Sequence, residues 1–389
     1  MWTRLAQWLC CPICGHSLEL HPFREERTQI SEQHLAVARR RDVLDDQFNR
    51  YVDAGLLACE RCRHIFPIIH GLPILLPYTT PLHNELAAKY QSEMAPFSTT
   101  HTFPALSPVS GEQFVMHSFS KEWLDYDYDG IIWDLSYEDL ESRFLAEIGS
   151  DAVSAGRDGL FFEVGCGLGL TTQFAYANLA ADAVGLDLSL AVLRASGHFR
   201  THPFLHFVQG SAFYPPLRRG IADVVYSHGV LHHTYSTREA FKAIARCAAS
   251  PGILYVWLYG PDSDKESLLR QALWHIETIV RPVIAQNPDS ITSRIFLNVV
   301  SCAYLAGNWG HRVQNAKVQA YTLRKALHAA RDRFTPLYAH RHDYEQVAEW
   351  FREEGFQGVE RVDWRLMPSA NQDNFRRNTG VRGRRDPRE

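Results

Sequence analysis

Three sets of residues in this chain have the types and spacing to do chemistry. Glu163, Gly165, Gly167 and Gly169 stand in the run LFFEVGCGLG, where an apolar strand ends on an acid and enters three alternating glycines. Such glycines permit a tight turn and let a bulky ligand approach bare main chain. Twenty-four residues past Glu163, a second apolar strand over 183–186 ends at Asp187. A carboxylate at that strand tip can accept hydrogen bonds from the two hydroxyls of a ribose. Cys11, Cys14, Cys59 and Cys62 form two C-x-x-C knuckles, and four thiolates so spaced match the tetrahedral, soft-donor preference of zinc. His228, His232 and His233 occur in SHGVLHH after a fourth strand. Histidine is the ordinary proton acceptor near neutral pH.

The elements that must position these groups are an alternation of strands and helices. Further strands are expected over 205–208, leading into Gly210 and Ser211, over 222–226, and over 253–258. Strands separated by helical stretches predict an α/β fold with a doubly wound parallel sheet, whose ligand crevice lies outside the carboxyl ends of the strands. Ser189 suits the cap of the helix after Asp187. After the fifth strand, residues 261–337 read as a predominantly helical insertion beside the crevice, with Leu268, Leu269, Ala272, Leu273, Ile276 and Ile279 on one stripe. Further helices are expected over 293–305 and 313–331, then a capped helix over 343–354 and a strand over 359–364.

The series EVGCGLG, VGLDLS, VQGSA, ADVVYSHGVLHH and PGILYVW resembles the ordered motifs of class I S-adenosylmethionine-dependent methyltransferases, especially the quinone-biosynthesis branch. The resemblance covers roughly residues 114–381 and implies S-adenosyl-L-methionine as cofactor. It implies that Glu163, Gly165, Gly167 and Gly169 surround the methionine part. Asp187 and Leu188 would serve the ribose, Gly210, Ser211 and Ala212 would lie beside the adenine, and Ser227, His228 and His232 would close the site. One departure is Ser211, where the family usually has an acid. A dinucleotide dehydrogenase is the competing reading, but its glycines follow G-x-G-x-x-G, and here the third glycine falls one residue early.

The stretches LCCPICGHSLEL and LLACERCRHIFPIIHGLPILLP resemble the small zinc-ribbon proteins that activate several tRNA, rRNA and protein methyltransferases in trans. A site closed by four cysteines leaves no open position, so Zn2+ here is expected to be structural. Cys10 could replace Cys11 as a ligand, although the C-P-x-C pattern favours Cys11. Disulfides are not expected, because the N-terminus lacks a secretory signal. The insert between the knuckles, 24–53, is charged and free of glycine and proline, which predicts a helix or helical hairpin.

At 389 residues with 46% apolar composition, the chain can bury more than one core. The expected organisation is a zinc ribbon over 1–77, a linker rich in proline, serine and threonine over 78–111, a methyltransferase domain over 112–260 and 338–389, and the insertion over 261–337. A net charge of −4 does not favour a nucleic-acid partner. The exception is the run of six arginines from Arg376 to Arg388, read as a solvated, partly disordered tail. No membrane span is expected, and the protein is read as cytoplasmic. Phe119, Glu122 and Trp123, in a preface that folds over the cofactor in similar small-molecule enzymes, are expected either to line the pocket or to pack as an ordinary helix.

Methyl transfer to oxygen needs a base. His228 and His233 are the candidates, set against a reading in which His232 or His233 holds its loop through a backbone hydrogen bond. Tyr259, His340 and His342 are weaker candidates. The leading expectation is a methyltransferase acting on a small organic acceptor such as a secondary metabolite, sugar or lipid head-group precursor. An RNA-modifying enzyme using the ribbon and the arginine tail is the alternative, and an inactive cofactor-binding scaffold is a third.

Overall fold

A computed structural model describes residues 1–123, 128, 131–132, 135–261, 268–314, 320 and 322–386. The first third of the chain gives β1 (Glu19–Arg27), α1 (Glu32–Arg40), β2 (Arg50–Cys59), β3 (His64–Ile69), β4 (Leu72–Leu75), α2 (Pro81–Lys89), α3 (Gln91–Met94) and α4 (Glu112–Glu122). A small hairpin, β5 (Ile131–Ile132) and β6 (Leu135–Ser136), precedes α5 (Tyr137–Ala155). The alternating region follows: β7 (Leu160–Val164), α6 (Leu170–Leu179), β8 (Asp182–Asp187), α7 (Ala191–His198), β9 (Leu205–Gly210), β10 (Ala222–His228), α8 (Thr237–Ala245) and β11 (Ala248–Leu258). The remainder is α9 (Leu268–Gln286), α10 (Ile291–Gln314), α11 (Leu323–Phe334), α12 (Tyr344–Glu353), β12 (Gln357–Arg361), α13 (Gln372–Arg377) and β13 (Thr379–Arg385).

Strands β9, β8, β7, β10 and β11 are parallel neighbours in that order. Every residue of β7, β8 and β9 is buried, as expected of strands covered on both faces by crossover helices. The order reverses between β7 and β10, so the ligand crevice belongs at their carboxyl ends. The two halves do not end at this sheet. Strand β4 pairs in parallel with β9, through Ile74 with Gln209 and Leu75 with Gly210, and β1 to β4 continue outward as an antiparallel meander. One eleven-stranded sheet results. Its core is shared as well, since Leu5, Phe66 and Leu75 pack in one cluster with Phe162, Val184 and Val208.

Three expectations are corrected. The insert over 24–53 is helical only over Glu32–Arg40, because its flanks lengthen β1 and β2. Residues 78–111 do not form a plain linker. Thr80 caps α2, Leu86 is fully buried, and Tyr78, Leu82, Tyr90, Phe97 and Phe103 pack on the outer face of the meander. The arginine tail is not a loose end: β13 pairs antiparallel with both β11 and β12. Arg382 binds Glu360 and the carbonyls of Ala146 and Glu147, while Arg385 donates to the carbonyls of Ala248 and Glu354. Arg388 lies outside the described residues.

The insertion is helical as expected, with boundaries that shift to α9, α10 and α11. Residues 315–319 and 321, and the side chains of Leu268, Leu269, Ala272 and Leu273, lie outside the described residues. Ile276 and Ile279, two of the residues expected on one stripe, are 52% and 74% exposed. The insertion instead packs through Ile284, Leu297, Ala330 and Phe334.

Candidate functional site

A cleft of about 1390 Å³ opens at the carboxyl ends of β7, β8, β9 and β10, bounded by α4 on one side and by α10 and α11 on the other. Gly165 and Gly169 have φ of +85° and +80°, in the left-handed region that glycine adopts without penalty. A Cβ on Gly165 would come within 2.0 Å of Val230, and one on Gly169 within 2.6 Å of Phe207. The glycines therefore serve the loop's own packing, and of the three expected to hold the cofactor only Gly165 lines the cleft, not Gly167 or Gly169. Gly167 donates its N–H to Asp187 Oδ2 at 2.8 Å, and Ser189 donates from N and Oγ to Asp187 Oδ1, both at 2.7 Å. A carboxylate has about four acceptor positions, so about one stays open toward the cleft that Asp187 lines.

Glu163 is buried at the floor and accepts from Thr172 Oγ1 at 2.5 Å. Burial raises its carboxyl to about 8. Leu188, Gly210 and Ala212 line the cleft, whereas Ser211 is not among its lining residues. Ser211 Oγ accepts from Phe213 N–H, and its side chain also bonds to Glu112. Glu112, in the first turn of α4, is a buried carboxylate that does line the cleft, and burial raises its pKa. A buried acid therefore stands beside Ser211, carried by a different element.

Phe119, Glu122 and Trp123 of the preface line the cleft. Arg194 Nη1 donates to the Trp123 carbonyl and Leu190 N–H to Ser120 Oγ, which straps the preface across the strand tips. Tyr128 OH donates to the Leu168 carbonyl in the glycine loop.

The histidines separate. His228 lies at the end of β10, stacks on Trp257 at 4.6 Å, and holds Nδ1 2.8 Å from Glu147 Oε1. Glu147, fully buried on α5, also accepts from Tyr226 OH and lies 3.8 Å from Arg143. Burial lowers the His228 pKa against the pull of Glu147, which favours the neutral imidazole. His233 lines the cleft with Nδ1 2.7 Å from the Tyr338 carbonyl, and burial lowers its pKa to about 4. His232 is buried behind it, stacked on Tyr259. Ser227 Oγ donates to the Val164 carbonyl and ties β10 to β7. Neither His232 nor Ser227 is among the cleft's lining residues. Tyr259 lines it and donates to Asp332 Oδ2 at 3.2 Å. Burial raises Asp332 to about 6. His340 and His342 face a separate groove beside Trp350.

In the N-terminal domain, the Sγ atoms of Cys11, Cys14, Cys59 and Cys62 all lie within 4.8 Å of one another, with Cys11 to Cys62 at 3.5 Å and Cys14 to Cys59 at 3.4 Å. Zn–S bonds of about 2.3 Å in a tetrahedron place sulfurs about 3.8 Å apart, so the donor set fits structural zinc. Cys10 lies outside this cluster.

Residues 162–256 match the family described as methyltransferase domain, and residues 3–71 match the family described as Trm112p-like protein. One chain thus carries both a match to a methyltransferase domain and, N-terminal to it, a match to a Trm112p-like protein. Solved structures similar to this chain include one from the Haloferax volcanii complex containing the Trm112 methyltransferase activator, at 13% identity and TM-score 0.37, covering 64% of this chain and 93% of that one. Another is Haemonchus contortus phosphoethanolamine N-methyltransferase 2, at 14% identity and TM-score 0.43, covering 74% and 62%. Geranyl diphosphate methyltransferase is similar at 11% identity and TM-score 0.38, covering 64% and 85%.

The methyltransferase domain's cleft fits S-adenosylmethionine. Bare main chain at the β7 turn, the Asp187 carboxylate and the two buried acids Glu163 and Glu112 suit a cationic nucleoside. Sequence reasoning missed Glu112, Arg143, Glu147 and Asp332. Glu147 carried a signal, since it falls on the apolar side of α5 beside Phe144 and Ile148, where an acid requires a partner. Glu112 carried none, because only the fold brings α4 to the end of β9.

Proposed function

We propose that the protein transfers a methyl group to a small organic acceptor held between the strand tips and the helical insertion. The observation that carries this reading is His228: an imidazole at the cleft wall whose Nδ1 lies 2.8 Å from the buried Glu147 carboxylate, with Nε2 as the nitrogen turned away from Glu147. S-adenosylmethionine, when bound, supplies an electrophilic methyl group. Asp187 would hold its ribose, Glu112 with Ala212 its adenine, and Glu163 the methionine end. His228 Nε2 takes the proton that an acceptor hydroxyl or amine must lose, and Glu147 stabilises the imidazolium that forms. The preface and the insertion exclude water and orient the acceptor. His233, anchored to Tyr338, positions the loop rather than receiving the proton.

The test is release of S-adenosylhomocysteine from a panel of hydroxyl and amine acceptors. Glu147→Gln is expected to reduce turnover at least about tenfold and His228→Ala by about 10² or more, each with cofactor affinity within about twofold of the parent. Full turnover by His228→Ala would remove the base assignment. A second reading, a macromolecular acceptor, is favoured by the Trm112p-like match at residues 3–71. Methylation of total RNA or protein with no small acceptor turned over would select it.

A further inference from the structure

Helix α10 has two faces. Leu297 and Ser301 are buried against the rest of the insertion, with Phe296, Val300 and Tyr304 half-buried beside them. On the opposite side Ile291, Ile295, Val299, Cys302, Ala306, Trp309 and Val313 recur at intervals of four, four, three, four, three and four residues. That spacing keeps them on one narrow stripe of a 3.6-residue helix. The stripe faces solvent: Ile291 is 77% exposed, Val299 64%, and Trp309 and Val313 70% each. Nine of the fifteen exposed large apolar residues among the described ones lie between Ile276 and Leu323. The apolar exposure is therefore concentrated on this one subdomain.

Charge separates the occupants. From Leu268 to Phe334 the sequence has nine Lys and Arg against three Asp and Glu, in a chain of net charge −4. The three acids are engaged elsewhere: Glu277 with Arg281 and Arg333, Asp289 with His117 and Lys121, and Asp332 with Tyr259. Exposed Arg294 and Arg312 are eighteen residues apart, which is five turns, so both border the same edge of the stripe. The other edge is bordered by Ala303 and Gly307, which line the cleft. A second copy of the chain on this face would set like charges against each other.

We propose that the outward face of α10 docks on an anionic lipid bilayer, with the stripe entering the headgroup boundary, Arg294 and Arg312 meeting lipid phosphates, and the cleft opening at the lipid surface. A basic amphipathic helix with an exposed tryptophan has the composition of an interfacial helix. No described helix is long and apolar enough to cross a membrane, so the attachment is parallel to the surface. The docking is independent of the methyl-transfer reading, because lipid binding is measured without turnover.

The test is co-sedimentation of the full chain with vesicles of phosphatidylcholine and phosphatidylglycerol, against phosphatidylcholine alone. Binding to the anionic vesicles that weakens as salt is raised is expected. Val299→Glu combined with Trp309→Glu, and separately Arg294→Glu combined with Arg312→Glu, should each weaken it about tenfold or more. Both variants should keep the parent's S-adenosylhomocysteine affinity by calorimetry, which shows that they are folded. Protein left in the supernatant, or variants that bind anionic vesicles as the parent does, would overturn the proposal. So would a parent that is dimeric by analytical ultracentrifugation, does not bind vesicles, and becomes monomeric in Val299→Glu with Trp309→Glu.

Discussion

Glu163 shows how one buried side chain makes cofactor binding depend on pH. Its carboxyl is raised from 4.5 to about 8 by burial, so at pH 7 it carries a proton in the free protein. A cationic ligand alongside it favours the ionised form and expels that proton. Calorimetry of S-adenosylmethionine binding at pH 7, repeated in buffers of different ionisation heat, should therefore register close to one proton released. The release should fade above about pH 9 and be absent in Glu163→Gln. The same shift has a stability sign. The folded state holds the proton more tightly than the unfolded chain between 4.5 and about 8, so stability falls as pH rises through that window. Glu163→Gln should flatten that fall in the ligand-free protein, as measured by thermal unfolding across the range.

At the scale of elements, the joint between the two domains is carried by Asp182 at the start of β8. It is 1% exposed and lies 3.1 Å from Arg4, 2.7 Å from Arg41 and 3.2 Å from His206. Burial pushes its pKa up, but His206, Arg4 and Arg41 outweigh burial and hold the carboxyl below its ordinary 3.8. Its contribution to stability is complete above 3.8 and is lost as pH falls through the lower folded value. Asp182→Ala would leave two arginines buried without their carboxylate, an expected loss of about 3–5 kcal/mol in denaturant unfolding at pH 7. Asp182→Asn should lose less. None of this was visible in the sequence, because Arg4, Arg41 and Asp182 meet only after β4 has paired with β9. What was legible had a period or a fixed spacing: the strands of the alternating region, the glycine turn, Asp187 and the cysteine knuckles. The insert over 24–53 misled because charged residues with high helix propensity also suit the exposed edge strand β1, whose burial pattern is mostly open. The arginine tail misled because a strand that buries backbone hydrogen bonds and guanidinium stems reads as a solvated run of charge.

For the whole molecule, the continuity of the sheet determines what the Trm112p-like domain does here. Were it tethered by a plain linker, removing it would leave an intact methyltransferase domain. Instead β4 covers the edge of β9, and Leu9 bridges to Leu217. Cys10 N–H donates to the Pro216 carbonyl and Arg218 N–H to the Trp8 carbonyl, so the cysteine cluster is attached to the loop that follows β9. Deleting residues 1–77 would expose the β9 edge and the apolar side chains that Phe66 and Leu75 cover, and a bare apolar edge strand promotes aggregation. The truncated chain is expected to be insoluble or aggregated by size-exclusion chromatography, and the full chain to unfold in one cooperative step. Because the zinc cluster belongs to the same unit, metal removal by a strong chelator should lower the Tm of that single step rather than release a separate early one. A soluble, folded fragment beginning after residue 77, or a chelator that melts only the first domain, would show that the two parts are independent.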